Sequence, residues 1–66
     1  MILIINGKKK KFNSGISLIQ IMKELKVQDE IMAIAINMEV LTKDNWSTFI
    51  PKENDRIEFL QFVGGG

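Results

Sequence analysis

The sequence predicts an α+β fold in which one short helix covers one face of a mixed sheet. Three observations carry that expectation. An Asn-Gly pair separates two short β-favouring runs at the start of the chain. A capped, amphipathic segment begins at Ser17. Three more strand-length runs follow it, each bounded by polar turn residues. The 66 residues allow one small domain, and a chain of this size hides only about 60% of the surface its unfolded form exposes. With 45% apolar residues, 11 of them Ile, it can still build one core.

Each element has a local reason. Ile2 to Ile5 is a continuous run of β-favouring side chains. Asn6-Gly7 is a strong two-residue hairpin signal. Lys9 to Phe12 returns as an edge strand whose lysines discourage pairing with a stranger. After the Asn13-Ser14-Gly15 loop, Ser17 and Gln20 stand three apart, as a capping box requires. Leu18, Ile21, Met22 and Leu25 then share one helical face, with Lys23, Glu24 and Lys26 on the other, and the helix is expected to end at Lys26.

Ile31 to Ile36 reads as a third strand, with Ile34 and Ile36 on one face and Ala33 and Ala35 on the other. Asn37-Met38 turns the chain into a short strand, Glu39 to Leu41. Thr42 to Trp46 suits one helical turn capped by Thr42, and Trp46 with Phe49 forms a lid on one end of the core. Pro51 to Asp55 is a polar turn in which Asn54 is the candidate for positive φ. Arg56 to Val63 is the last strand, Ile57 and Phe59 alternating against Glu58, Leu60 and Phe62. The order is β-β-α-β-β-β. If the first and last strands lie side by side and parallel in the middle of the sheet, this is a ubiquitin-like β-grasp with a mixed five-stranded sheet. Residues 1–63 form the domain and residues 64–66 a glycine tail.

Composition excludes several chemistries. There is no Cys and no His, so no thiolate nucleophile, no disulfide, no imidazole base and no metal site built on them. Asp44, Glu53, Asp55 and Glu58 lack a partner base and read as a solvated acidic face. Gly7-Lys8 has no upstream Gly at Walker spacing and no following Ser or Thr, so it is not a phosphate loop. The net charge of +1 creates no nucleic-acid or membrane field. It is unevenly spread: Lys8 to Lys11 form one basic cluster, while residues 12–66 carry 5 basic and 8 acidic side chains, a net −3. The cluster reads as a solvated hairpin tip or a docking point for an acidic partner. No stretch reaches the roughly 18 apolar residues of a membrane span. The N-terminus lacks a basic leader and a small-residue cleavage site, so a cytoplasmic location is expected.

Gly64, Gly65 and Gly66 follow the last strand directly. Three glycines make a thin arm reaching about 10 Å, and without Cβ atoms it can thread a channel that other residues would block. A carboxylate at its tip can be activated as an acyl-adenylate, because phosphate leaves readily. That step builds negative charge that magnesium and basic donors must meet. A chain with one Arg, no His and no phosphate loop cannot supply them. The chain is then a co-substrate and not an enzyme: it binds no cofactor itself, and ATP and Mg belong to an activating partner. On the sheet face away from the helix, Ile2, Ile4, Ala33, Ala35, Leu60 and Phe62 form an apolar patch at the root of the arm. With Val63 at the base of the arm, Ile2, Ile4, Leu60 and Phe62 are the candidate partner-binding residues, and Phe62 is the expected anchor.

The chain resembles the ThiS family of sulfur carriers. The resemblance rests on the short β-grasp body, Ala33-Ile-Ala-Ile-Asn37, Lys43-Asp-Asn-Trp46, Glu53-Asn-Asp-Arg-Ile57 and the terminal Gly65-Gly66. It covers essentially the whole chain. Two positions depart from the pattern: Asn54 stands where Gly is more usual in the turn, and Gly64 lengthens the arm by one residue. The resemblance implies that an E1-like adenylyltransferase (ThiF-like) adenylates the Gly66 carboxylate with ATP. It also implies that a cysteine desulfurase or other persulfide donor supplies sulfur, and that the resulting thiocarboxylate delivers it to thiazole synthase (ThiG-like). Three other readings stay open at this point: a MoaD-like small subunit of molybdopterin synthase, a protein modifier conjugated through Gly66, and a plain interaction module with an incidental tail.

Overall fold

Two-residue hairpins of type I′ need both central residues at positive φ to match the twist of their strands. Asn6 (φ 48°) and Gly7 (φ 84°) meet that need. They join β1 (Ile2–Ile5) to β2 (Lys8–Lys11) with Ile5 opposite Lys8. A computed structural model describes residues 1–61 of the chain. After β2 come α1 (Leu18–Glu24), β3 (Ile31–Ile36), β4 (Glu39–Leu41), a single 3-10 turn (Lys43–Asn45) and β5 (Arg56–Gln61). β2 lies one residue earlier than expected because the hairpin loop is only two residues long. Of the expected last strand, Phe62 and Val63 lie outside the described residues, as do Gly64, Gly65 and Gly66.

The sheet order is β2-β1-β5-β3-β4. β1 and β5 run parallel, and the other pairs are antiparallel. Period-2 alternation turns Leu3, Ile5, Ile34, Ile57 and Phe59 toward α1, which answers with Leu18, Ile21 and Met22; all eight are buried. Ile36, expected on the same face, is half-buried beside the β3–β4 turn. Trp46 closes one end of the core, its indole N–H donating to the Leu41 carbonyl at 3.0 Å. The bond satisfies the one polar group the ring brings inside.

Helix α1 opens as its capping box predicts. The Ser17 hydroxyl accepts from the Gln20 N–H at 3.2 Å, and the Gln20 side chain accepts from the Ser17 N–H at 3.4 Å. Ile16, just before the cap, is buried in the same cluster as Ile21, the arrangement of a hydrophobic staple. Its loop position hid it from periodicity.

The helix ends at Glu24, earlier than expected. Lys26 takes φ 59°, and its N–H reaches the Lys23 carbonyl while the Val27 N–H reaches Met22, 3.1 Å each. This is a Schellman ending with Lys where Gly is usual, so the sequence carries no stop signal. Leu25 is therefore the C-cap and only half-buried.

Thr42 does stand at the N-cap of the 3-10 turn, but its hydroxyl makes no capping bond. It accepts instead from the Asn45 side-chain amide at 2.9 Å. Asn54 has φ 67°, as expected, and its N–H donates to the Ile2 carbonyl at 2.7 Å.

Ile21→Ala removes a fully buried side chain and is expected to cost about 2–5 kcal/mol. Leu25→Ala, at the half-buried cap, is expected to cost about 1–2 kcal/mol by the same reasoning. Urea midpoints of the two variants check this; equal losses would mean that the buried helical face runs past Glu24.

Candidate functional site

The last strand is held differently along its length. β5 pairs with β1 only at Arg56 and Ile57, whereas its pairing with β3 continues to Gln61, opposite Ile31. Beyond Ile57 the β1 side of β5 would be bare, because β1 turns away at Asn6. The Asn6 side chain fills the gap. Its Oδ1 accepts from the Phe59 N–H at 2.8 Å, and its own N–H donates to the Ile57 carbonyl at 2.9 Å. One residue thus turns the hairpin and stands in for the missing strand. The start of β5 is clamped as firmly. Asn37 accepts from the Arg56 N–H at 2.9 Å and donates to Asp55 at 3.0 Å, while Asp55 also accepts from the Lys52 N–H at 2.8 Å. Glu53 accepts from the Ile2 N–H at 2.8 Å. Glu53 and Asp55, expected on a solvated acidic face, therefore serve as acceptors that tie the turn to the sheet. The result is a rigid base for whatever follows Gln61.

The sheet face opposite α1 is uncovered by any described element. Ala33 stands opposite Leu60, and Ala35 stands opposite both Glu58 and Val40. Two small side chains among larger ones leave a shallow hollow lined by Ala33, Ala35, Val40, Glu58 and Leu60. Leu60 is 60% exposed and Val40 77%. A second hollow, between Ile4 and Met38, shares Glu58 with the first, so the two form one continuous surface.

The structure brings Leu60 and Ile4 onto this surface. Ile2 lines neither hollow: β1 runs parallel to β5 with Ile4 opposite Arg56, which puts Ile2 beyond the start of β5, at the end away from Gln61. Phe62, Val63, Gly64, Gly65 and Gly66 lie outside the described residues. Val40 and Met38 are the residues missed by sequence reasoning. The signal for Val40 was available, since a three-residue strand that turns Leu41 inward must turn Val40 outward. Met38 carried none: it sits at φ 72° in the β3–β4 turn, a conformation that disfavours Met.

Among the described residues, no group of three or more acidic side chains could hold a metal ion, and no helix is long and apolar enough to cross a membrane. Among the described residues, a single helix on a mixed five-stranded sheet, with the first and last strands parallel and side by side, defines a ubiquitin-like β-grasp domain. The model of the ThiS family matches residues 3–66, and the chain belongs to that family.

Two solved structures agree. The crystal structure of the thiamine biosynthesis protein ThiS from Geobacter metallireducens is 33% identical, with a TM-score of 0.79 and full coverage of both chains. A solution structure of a thiamine biosynthesis protein from the same organism is 33% identical with a TM-score of 0.77, covering all of this chain and 88% of that one. A thiazole synthase of Paramagnetospirillum magneticum is 29% identical over all 66 residues of this chain, which spans 20% of that protein's length.

Asn6→Ala deletes the acceptor for Phe59 and places a Cβ residue at φ 48° without a compensating side chain. We expect a loss of about 1–3 kcal/mol, checked by chemical denaturation. Asn6→Gly is expected to lose less, because it removes the hydrogen bond and relieves the turn.

Proposed function

We propose that this chain is a sulfur carrier protein of thiamine biosynthesis, acting in formation of the thiazole. The observation that carries the reading is the match to the ThiS family from residue 3 through Gly66; the exposed apolar surface beside Leu60 supports it. In this reading residues 1–63 are the docking body and residues 64–66 the reacting arm.

The carboxylate of Gly66 attacks the α-phosphorus of ATP on an E1-like adenylyltransferase, giving an acyl-adenylate and pyrophosphate. ATP and Mg belong to that partner, and the carrier binds no cofactor of its own. A persulfide sulfur on a cysteine desulfurase or related donor then attacks the acyl carbon, and AMP leaves. A thiol cleaves the resulting sulfur–sulfur bond, is itself oxidised to a disulfide, and leaves a thiocarboxylate on Gly66. The thiocarboxylate is a softer and stronger nucleophile than the carboxylate, so it can hand sulfur to an electrophilic intermediate on thiazole synthase. The likeness to a protein of that name supports this choice of acceptor. Gly64 and Gly65 let the arm enter both active sites. Leu60, Ile4 and Val40, together with Phe62 and Val63, dock the body, and Ile2 extends that surface at its far end. The carrier contributes position and a reactive terminus and no catalytic group. A cytoplasmic location, where ATP is plentiful, fits this reading.

The decisive test is an intact mass after incubation with an E1-like activating enzyme, magnesium-ATP and a persulfide source. The expected product is heavier by the exchange of one oxygen for sulfur at Gly66. No change, with an activating enzyme proven on another carrier, overturns the reading; conjugation to lysines in its place identifies a protein modifier. Gly65→Val is expected to abolish the mass gain, because its Cβ crowds the channel through which the arm is threaded. Leu60→Asp charges the exposed surface without touching the core. It is expected to keep stability within about 0.5 kcal/mol while slowing adenylation at least about tenfold. Comparing melting and single-turnover adenylation of Leu60→Asp separates the two effects.

A further inference from the structure

β2 ends the sheet, so one of its edges has no strand partner among the described residues. All four of its residues are lysine and all are exposed. The hairpin register decides what that edge presents. Phe12 and Met1 exchange both backbone hydrogen bonds, at 2.9 and 2.7 Å. Antiparallel pairs alternate between bonded and non-bonded. Counting back from Phe12, Lys10 and Lys8 are bonded to Leu3 and Ile5, which leaves Lys9 and Lys11 with their N–H and C=O groups turned to the open edge. The side chains alternate as well. Lys8 and Lys10 lie on the helix side, where they rim a groove with Leu25, Val27 and Phe59. Lys9 and Lys11 lie on the opposite face, with Ile4 and Ile2.

An open strand edge invites another strand, and like charges placed opposite each other repel it. Four lysines therefore refuse a second copy of this edge and any basic or neutral competitor gains nothing from them. The same charges attract a strand that carries Asp or Glu on either of its faces. The remainder of the chain, at net −3, repels such a strand and confines it to β2. We propose that the β2 edge takes up an extended acidic segment of a partner protein as an added strand. The Lys9 and Lys11 backbone groups supply the ladder, their ammonium groups pair with carboxylates on the outer face of the added strand, and the groove rimmed by Lys8, Lys10, Leu25 and Val27 receives its apolar side chains. The site lies at the opposite edge of the sheet from Val40, while Lys9 adjoins Ile4 at the near end of the apolar surface.

The test uses the whole chain and a short capped peptide alternating Glu with Val, followed by amide hydrogen exchange. The expected result is slowing of the Lys9 and Lys11 amides by at least about tenfold, with little change at Lys8 and Lys10, which are already bonded. The double variant Lys9→Glu, Lys11→Glu is expected to weaken binding at least about tenfold. The neutral pair Lys9→Gln, Lys11→Gln, which adds no repulsion, is expected to weaken it less. Absence of binding overturns the proposal. So does binding that perturbs lysine side chains without protecting the two amides, or equal binding of heparin or anionic vesicles, since each of these reports attraction for polyanions in general.

Discussion

The parallel pairing of β1 with β5 is the constraint on which the rest depends. It brings residues from the two ends of the sequence together in the middle of the sheet, with Ile4 opposite Arg56 and Ile5 opposite Ile57. The ladder is only two pairs long, too short to fix a register by itself. Side chains and turn backbone hold it at both ends. Asn54 and Glu53 bind the backbone of Ile2 at the start, and Asn6 binds Phe59 where β1 gives out. Parallel strands require a crossover; here the crossover holds α1, which covers the inner face and leaves the outer face uncovered by any described element.

That division separates a closed core from an open apolar face. The inner face is closed by α1 and Trp46 into one cluster without a buried polar side chain left unpaired among the described residues. The outer face keeps two alanines at its centre, and their small size makes it concave and apolar between Leu60, Val40, Ile4 and Met38. That concave surface lies beside Leu60, one residue before the end of β5. Charge borders this surface: Glu58 lies between the two hollows, Arg56 lines the one beside Ile4, and Lys9 stands across from Ile4 on β2.

Much of this was legible residue by residue. The Asn6-Gly7 turn, the Ser17/Gln20 capping box, the strand Ile31–Ile36 and the positive φ of Asn54 each follow from two to six neighbouring residues, and each stands in the structure as expected. The misses share a cause. The helix stops at Glu24 because Lys26 adopts the left-handed conformation that Gly usually provides, and Thr42 turns its hydroxyl to Asn45 rather than to the backbone. In both places the surrounding packing chose a conformation that the local residues permit without demanding. The alternation of β1 groups Ile2 with the patch by its face alone, yet its distance along the sheet from Gln61 is set by the parallel register, a property of two segments more than fifty residues apart in sequence.

The sequence by itself determined the element order, the hairpin, the helix start and the absence of thiol or imidazole chemistry, since each depends on residue type or on contacts within one turn of chain. Only the tertiary structure decided that Asn6 completes β5, that Val40 and Met38 border the outer surface, and that Lys9 and Lys11 carry the open backbone edge. Those facts depend on which strand lies beside which and in what register, and register is settled by the burial of a whole face at once and not by any residue alone.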